Sequence, residues 1–397
     1  MEIFFFLFVL LQAAIGINLV FPLILYGLYH FRKSHVARAA SPLVSSTREA
    51  DYAIIVTAYQ QTHQLPEVIE SLLRLRYNNY HIYLVGDNCD PDKLPPEQPK
   101  LKVLRPESVL SSNTRSHFYA IRRFERPHER LVIIDSDNLV DPELLNRLNE
   151  RFDQGFQAVQ GVREAKNIDT DLARLDAARD IYYHFYDGKL LFGAGSSATL
   201  AGSGMAFQVD LYEQCLGNSP VEGAGFDKVL QAEIVRRGER IAFAPEAIVY
   251  DEKTTGSQQL VGQRARWINT WFRYFSYGFG ILGRGLWRWD RNQILFGIVL
   301  LRPPLFLFLL AAVIFALIDL VVFPVMALFW AGGLVAFVVG FLVALRHSQA
   351  DQRIYASLAH APRFVFYQLI ALLKVKRANK ISVATRHGDP DASKSRM

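Results

Sequence analysis

The run Leu131-Val132-Ile133-Ile134-Asp135-Ser136-Asp137 constrains this chain more than any other stretch. Four consecutive apolar residues, most of them β-branched, read as a strand buried on both faces, which is the pattern of a parallel sheet. The strand ends abruptly in two carboxylates. In extended backbone, residues two apart project to the same side, so Asp135 and Asp137 can face one point. That point lies at a strand's carboxyl end, where open α/β sheets bind ligands. Two hard oxygen donors there suit Mg²⁺ or Mn²⁺ already carrying a diphosphate. The plainer alternative is a solvated turn into the next helix, with Asp141 as N-cap and Pro142 at N1.

The flanking sequence favours a doubly wound, mostly parallel α/β sheet. Strands are expected at Tyr52 to Thr57, His81 to Val85, Leu101 to Leu104, Ala158 to Val162 and Ile241 to Tyr250. Between and after them, helices are expected at Leu65 to Leu75, Asn113 to Phe124, Asp169 to Tyr186 and Phe226 to Arg237. Ala194 to Gly204, rich in Gly and Ser, reads as loop.

A soluble domain does not account for the whole chain. Hydrophobic residues make up 51% and 28 of the 397 residues are Phe, which points to membrane segments. Ile3 to Phe31 is long enough to span a bilayer, making residues 1–33 an N-terminal transmembrane helix. A cleaved signal peptide would need a basic start and a shorter apolar core. Arg32, Lys33 and Arg38 follow, placing the next domain in the cytosol by the positive-inside rule. Residues 34–50 read as a linker and 51–262 as the cytosolic domain.

Trp267, Trp271, Phe275 and Phe279 then form an aromatic stripe, followed by Trp287 and Trp289 among arginines. This describes interfacial helices over 263–293. The apolar stretch 294–345 fits a transmembrane hairpin, giving three spans in all. Arg302 within it either snorkels to the interface or lines a polar path for phosphate or sugar. Residues 346–387 read as a cytosolic amphipathic segment, with Lys374, Lys376, Arg377 and Lys380 beside an apolar stripe, and 388–397 as a disordered tail. The net charge of +6 is gathered beside apolar segments, which favours an anionic membrane surface over nucleic acid. Cys89 and Cys215 lie far apart without metal-ligand spacing, consistent with reduced cytosolic thiols.

Three further places carry candidate chemistry. Asp87 ends the second strand and can accept hydrogen bonds from a nucleobase or ribose, or simply close a turn. Asp227 precedes an apolar helix and is either its N-cap or a base that deprotonates an acceptor hydroxyl. Gln263-Arg264-Ala265-Arg266-Trp267 couples a guanidinium suited to a leaving diphosphate with an aromatic face suited to a sugar ring.

In this order, these residues resemble the inverting family-two glycosyltransferases of GT-A fold. The nearest kin in pattern are membrane-embedded cellulose, hyaluronan and poly-N-acetylglucosamine synthases. The resemblance runs from Tyr52 to about Arg386. It implies that Tyr59 packs on uracil, Asp87 binds uridine, and Asp135 and Asp137 hold the metal. It further implies that Gly202, Ser203 and Gly204 lie beside the acceptor, that Asp227 is the general base, and that Gln263, Arg266 and Trp267 form the Q-x-x-R-W signature. Thr385-Arg386 resembles a segment that can approach the active-site mouth.

The sequence also departs from the family pattern. Thr57-Ala58-Tyr59-Gln60-Gln61 lacks the usual acidic residue, Gly225-Phe226-Asp227 lacks the Glu before the base, and Ser116-His117-Phe118 replaces a Gly-Lys-Gly element. The resemblance implies transfer from a UDP-sugar to a growing polysaccharide with a β-linkage. Only three spans make a complete channel hard to build from one chain, so that reading calls for a partner subunit or homo-oligomer. Transfer of one sugar to a lipid is the alternative, and an inactive membrane scaffold a third.

Overall fold

The computed structural model describes residues 2–36, 48–217 and 224–375. Arg38 and most of the expected linker, Glu222-Gly223, the cations from Lys376 onward, Thr385-Arg386 and the tail lie outside the described residues.

Eight strands form one mixed sheet. They are β1 (Tyr52–Tyr59), β2 (Tyr80–Asp87), β3 (Leu101–Leu104), β4 (Arg130–Asp135), β5 (Leu139–Val140), β6 (Ala158–Ala165), β7 (Met205–Gln208) and β8 (Ile241–Asp251), in the order β3-β2-β1-β4-β7-β6-β8-β5. The pairs β1–β2, β1–β4, β2–β3 and β6–β8 are parallel, whereas β7 runs antiparallel between β4 and β6. The register sets Thr57 opposite Asp135 and Tyr59 opposite Asp87, so the polar strand ends share one edge.

Burial on both faces follows from the alternation along β4. Leu131 and Ile133 enter one core with Phe226, Leu230 and Ile234, while Val132 and Ile134 enter the other with Leu65, Leu72 and Leu148. Each such side chain contributes about 1.5–3 kcal/mol when fully buried.

β5 and β7 have no counterpart in the sequence reading, because two to four residues are too short to show a period. The helix expected over 169–186 is Asp171–Tyr183, which passes into a π-helical stretch at His184–Leu190. Such stretches are uncommon and cluster at functional sites.

Among the described residues, four helices are long and apolar enough to cross a membrane: Phe5–Arg32, Leu305–Val322, Pro324–His347 and Gln352–Lys374. The last falls in the segment read as amphipathic and qualifies as a candidate by length and composition alone. The hairpin also begins later than expected. Residues 294–301 belong to a separate helix, Arg291–Leu301, that packs on Tyr277–Arg288. Pro303 drives Arg302 into extended backbone (φ −63°, ψ 126°) and ends that helix. Asp319, within the apolar stretch, is buried. It accepts hydrogen bonds from Gln12 Nε2 (3.1 Å) and Trp330 Nε1 (2.9 Å) and so ties three apolar helices together.

The aromatic stripe divides. Phe272, Phe279, Trp287 and Trp289 are exposed, the two tryptophans at 87% and 88%. Trp267, Trp271 and Phe275 instead face an internal cavity.

Candidate active site

A cavity of about 620 Å³ opens at the polar edge of the sheet, within the range of sites for small organic ligands. Its walls come from β1, β4, the 199–202 loop, the π-helical stretch, and the helices Phe226–Arg236 and Ser257–Tyr274. Its far side is the break at Arg302-Pro303-Pro304 and the first turn of the apolar helix Leu305–Val322. Tyr59, Asp135, Asp137 and Gly202 line it, and so do Asp227, Gln263, Arg266 and Trp267.

Asp135 is half-buried at the end of β4, and its N–H donates to Ser203 Oγ at 3.1 Å. Desolvation pushes its carboxyl up to about 8; repulsion from Asp137, Asp251 and Asp227 adds to this, and Arg163 opposes it. Four acidic groups from separate parts of the chain therefore share one field. Asp137 accepts from Asn138 Nδ2 at 2.9 Å. Among the described residues, no group of three or more His, Cys, Asp or Glu side chains is arranged to hold a metal. Two carboxylates are nevertheless a fitting donor set for a cation that takes its remaining ligands from substrate phosphates and water. A buried carboxyl crowded by its own kind is also what a divalent cation relieves.

Asp227 stands in the first turn of the helix Phe226–Arg236, whose N-cap is Gly225 in the left-handed region (φ +99°). The capping alternative for Asp227 therefore falls away. Its carboxylate pairs with Lys228 Nζ at 3.2 Å, and Lys228 also donates to the Leu200 carbonyl at 3.1 Å. Burial lowers the pKa of the Arg266 guanidinium, which lines the same cavity. Arg264 also lines the cavity, in a buried ion pair with Asp176, with its guanidinium 4.3 Å from the Trp267 ring centroid.

Three expected residues stand behind the wall rather than in it. Both Asp87 oxygens accept backbone N–H groups, from Leu110 at 2.8 Å and Ser111 at 2.7 Å. Ser111 Oγ in turn donates to the Tyr59 hydroxyl at 3.3 Å, so Asp87 sets the loop that meets Tyr59. Ser203 is buried beneath Asp135, and Gly204 (φ +64°) lies so close to Val249 that a Cβ would sit 2.4 Å from its Cγ2. His117, in the Gly-Lys-Gly position, is buried against Tyr212 and Phe226.

The sequence reading missed a charged layer under the site. Arg163 and Lys253 meet Asp180 and Asp251, with Arg163 at 3.3 and 3.4 Å from the two and Lys253 Nζ at 2.7 Å from Asp251. Although burial opposes it, Lys253 and Arg163 hold the Asp251 carboxyl below the usual range. Arg163 also donates to the Ala201 carbonyl at 2.8 Å, fixing the loop before Gly202. The signal was present: Asp251 ends β8 as Asp135 ends β4, but the expected strand stopped one residue short.

Comparison with known proteins gives a family. A family model described as glycosyltransferase like family 2 matches residues 50–270, more than half of the chain. The mannosyltransferase PcManGT from Pyrobaculum calidifontis, solved in complex with GDP-Man and Mn²⁺, shares the fold at TM-score 0.51 and 15% identity, over 92% of this chain and 99% of that one. TarS of S. aureus is similar at TM-score 0.36 and 15% identity, over 58% of this chain and 40% of that one. No curated protein matches the chain. The matched span contains the entire sheet and every expected site residue, and on that match the chain belongs to glycosyltransferase like family 2.

Proposed function

We propose that this protein transfers a sugar from a nucleotide-diphosphate sugar to a hydroxyl of a membrane-borne acceptor, inverting the anomeric carbon. One observation carries this reading: Asp135, Asp137, Asp227 and Arg266 line a single cavity that continues to the membrane hairpin.

Asp135 and Asp137 would hold Mg²⁺ or Mn²⁺, which when bound supplies Lewis-acid neutralisation of the donor's diphosphate. Arg266 adds a guanidinium for charge developing on the leaving group. Tyr59, at the end of β1, offers an aromatic face at the nucleotide end, beside the loop that Asp87 sets. Asp227 takes the acceptor hydroxyl's proton as that oxygen bonds to the anomeric carbon. The carbon–oxygen bond to the diphosphate breaks at the same time, and the nucleoside diphosphate leaves with the bonding pair. One displacement turns an α-linked donor into a β-linked product.

The resemblance in sequence points to UDP as the carrier, and the complex of PcManGT with GDP-Man makes GDP-sugars the second donor to try. For the acceptor, the geometry favours a lipid over a growing polysaccharide. The cavity reaches Leu305 and Phe306 at the start of an apolar helix, which suit the hydrocarbon part of a lipid. A polymer would require that passage from a partner subunit or a second copy.

The test is transfer by membranes containing the full chain, with UDP- and GDP-sugars and added lipids. The expected product is a lipid carrying one added sugar, lost with chelator and restored by Mn²⁺ or Mg²⁺. A long carbohydrate polymer would restore the synthase reading, and chelator-resistant transfer would remove the metal from it.

A further inference from the structure

The membrane-side end of the cavity holds an ion pair that the transfer chemistry does not use. Asp187 lies in the π-helical stretch and Arg302 at the proline break, and the Arg302 guanidinium reaches the Asp187 carboxylate. The two residues are 3% and 7% exposed, and both line the cavity. Each retains one buried polar atom without a partner: Oδ1 of Asp187 and Nη1 of Arg302. Trp271, which lines the same cavity, also has a buried and unpartnered Nε1.

Buried polar atoms without partners are rare in native proteins and call for an explanation. Snorkelling does not supply one, because Arg302 turns inward to an acid rather than outward to an interface. The chemistry of the pair narrows what would complete it. It offers one acceptor beside one donor, and its charges cancel. A phosphate could use only the donor and would be repelled by the carboxylate. A sugar's hydroxyls both donate and accept, and neighbouring hydroxyls on a ring can satisfy the two atoms together. The Trp271 ring adds a flat face to the same cavity.

We propose that Asp187 and Arg302 form a subsite for the hydroxyls of a neutral sugar that belongs to the acceptor. The acceptor then already carries a sugar before the enzyme adds another, and the product is at least a disaccharide. Leu305 and Phe306 lie next to the pair and suit the apolar anchor of a glycolipid, although a free saccharide presents the same hydroxyls. This inference rests on the transfer reading given above.

The experiment offers the full-length protein in detergent four acceptors: a neutral monoglycosyl lipid, the matching free saccharide, a polyprenyl phosphate and a long-chain alcohol. Donor cleavage is followed in parallel. The sugar-bearing acceptors should be used with kcat/KM at least tenfold above the other two, and the glycolipid arm against the free-saccharide arm identifies the source. Arg302→Lys, which keeps the charge but loses the second nitrogen, should raise KM for the preferred acceptor at least tenfold. The neutral pair Asp187→Asn with Arg302→Gln should do the same. Preference for the phosphate or the alcohol overturns the subsite, as do unchanged KM values in both variants. Donor cleavage that none of the four diverts also overturns it. Absence of both donor cleavage and transfer fells the underlying transfer reading and the subsite with it.

Discussion

Asp227 can serve as a base because Gly225 takes the N-cap position of the helix. General-base assistance is typically worth about 100- to 10,000-fold, so Asp227→Asn should lose transfer by that order. Initial rates, with nucleotide binding followed by titration calorimetry, check this; transfer near the wild-type rate would refute the role. His117 has a different consequence. It is fully buried, with Nδ1 2.7 Å from the Tyr212 hydroxyl, and burial holds its imidazole down to about 3. As pH falls below the ordinary value of 6.5, the unfolded chain takes up a proton that the folded chain refuses. Its contribution to stability is therefore full above that pH and is lost as pH falls toward 3. The loss is at most about 1.4 kcal/mol per pH unit. Melting curves from pH 7.5 to 5 should slope less steeply for His117→Gln than for wild type. Asp135 and Asp137 were legible as candidates from a strand end, Arg266 from the Q-x-x-R-W spacing and Asp227 from the family resemblance, and the four line one cavity. Asp187 was not, since its role depends on a partner 115 positions away that no local pattern reveals.

Among the elements, long and strongly patterned ones were readable in the sequence and short ones were not. β1, β2 and β4 show as apolar runs because both their faces are covered. β7 has only four residues, and its place between β4 and β6 is set by pairing, not by its own pattern. The start of the helix Phe226–Arg236 shows how closely an element can depend on one residue. A Cβ on Gly225 would meet Thr270 Cγ2 and Tyr274 Cε2 at 2.6 Å, and the backbone is left-handed there. Gly225→Ala should therefore cost about 1–3 kcal/mol and move Asp227 relative to Arg266. A lowered melting temperature together with a fall in kcat would bear this out; a wild-type melting curve would not.

For the whole molecule, the question is which helices cross the bilayer. Gln352–Lys374 qualifies by length and composition, yet it is broken at Leu358–His360. It also packs through Ala371 on Val261, Ala265 and Ile268, the helix that carries Gln263 and Arg266. A helix bound to the catalytic side in this way is expected to lie along the surface. Cysteine labelling at position 349 and again in the C-terminal tail should find both on the same face as the sheet; labelling from opposite faces would make it a fourth span. The sequence legibly separated apolar from soluble segments, but not where the hairpin begins. Ile294 to Leu301 is as uninterruptedly apolar as the start of the helix Leu305–Val322, and only Arg302-Pro303-Pro304 divides them.

The position of that proline break limits how the chain can be dissected. A water-soluble fragment ending near residue 270 would keep all eight strands and the acidic cluster. It would, however, leave the cavity without a floor, since Val299 to Phe306 supply it. Asp187 would then lose its countercharge and meet bulk water. Excising the sheet from its apolar helices would leave the cavity an open-bottomed cup.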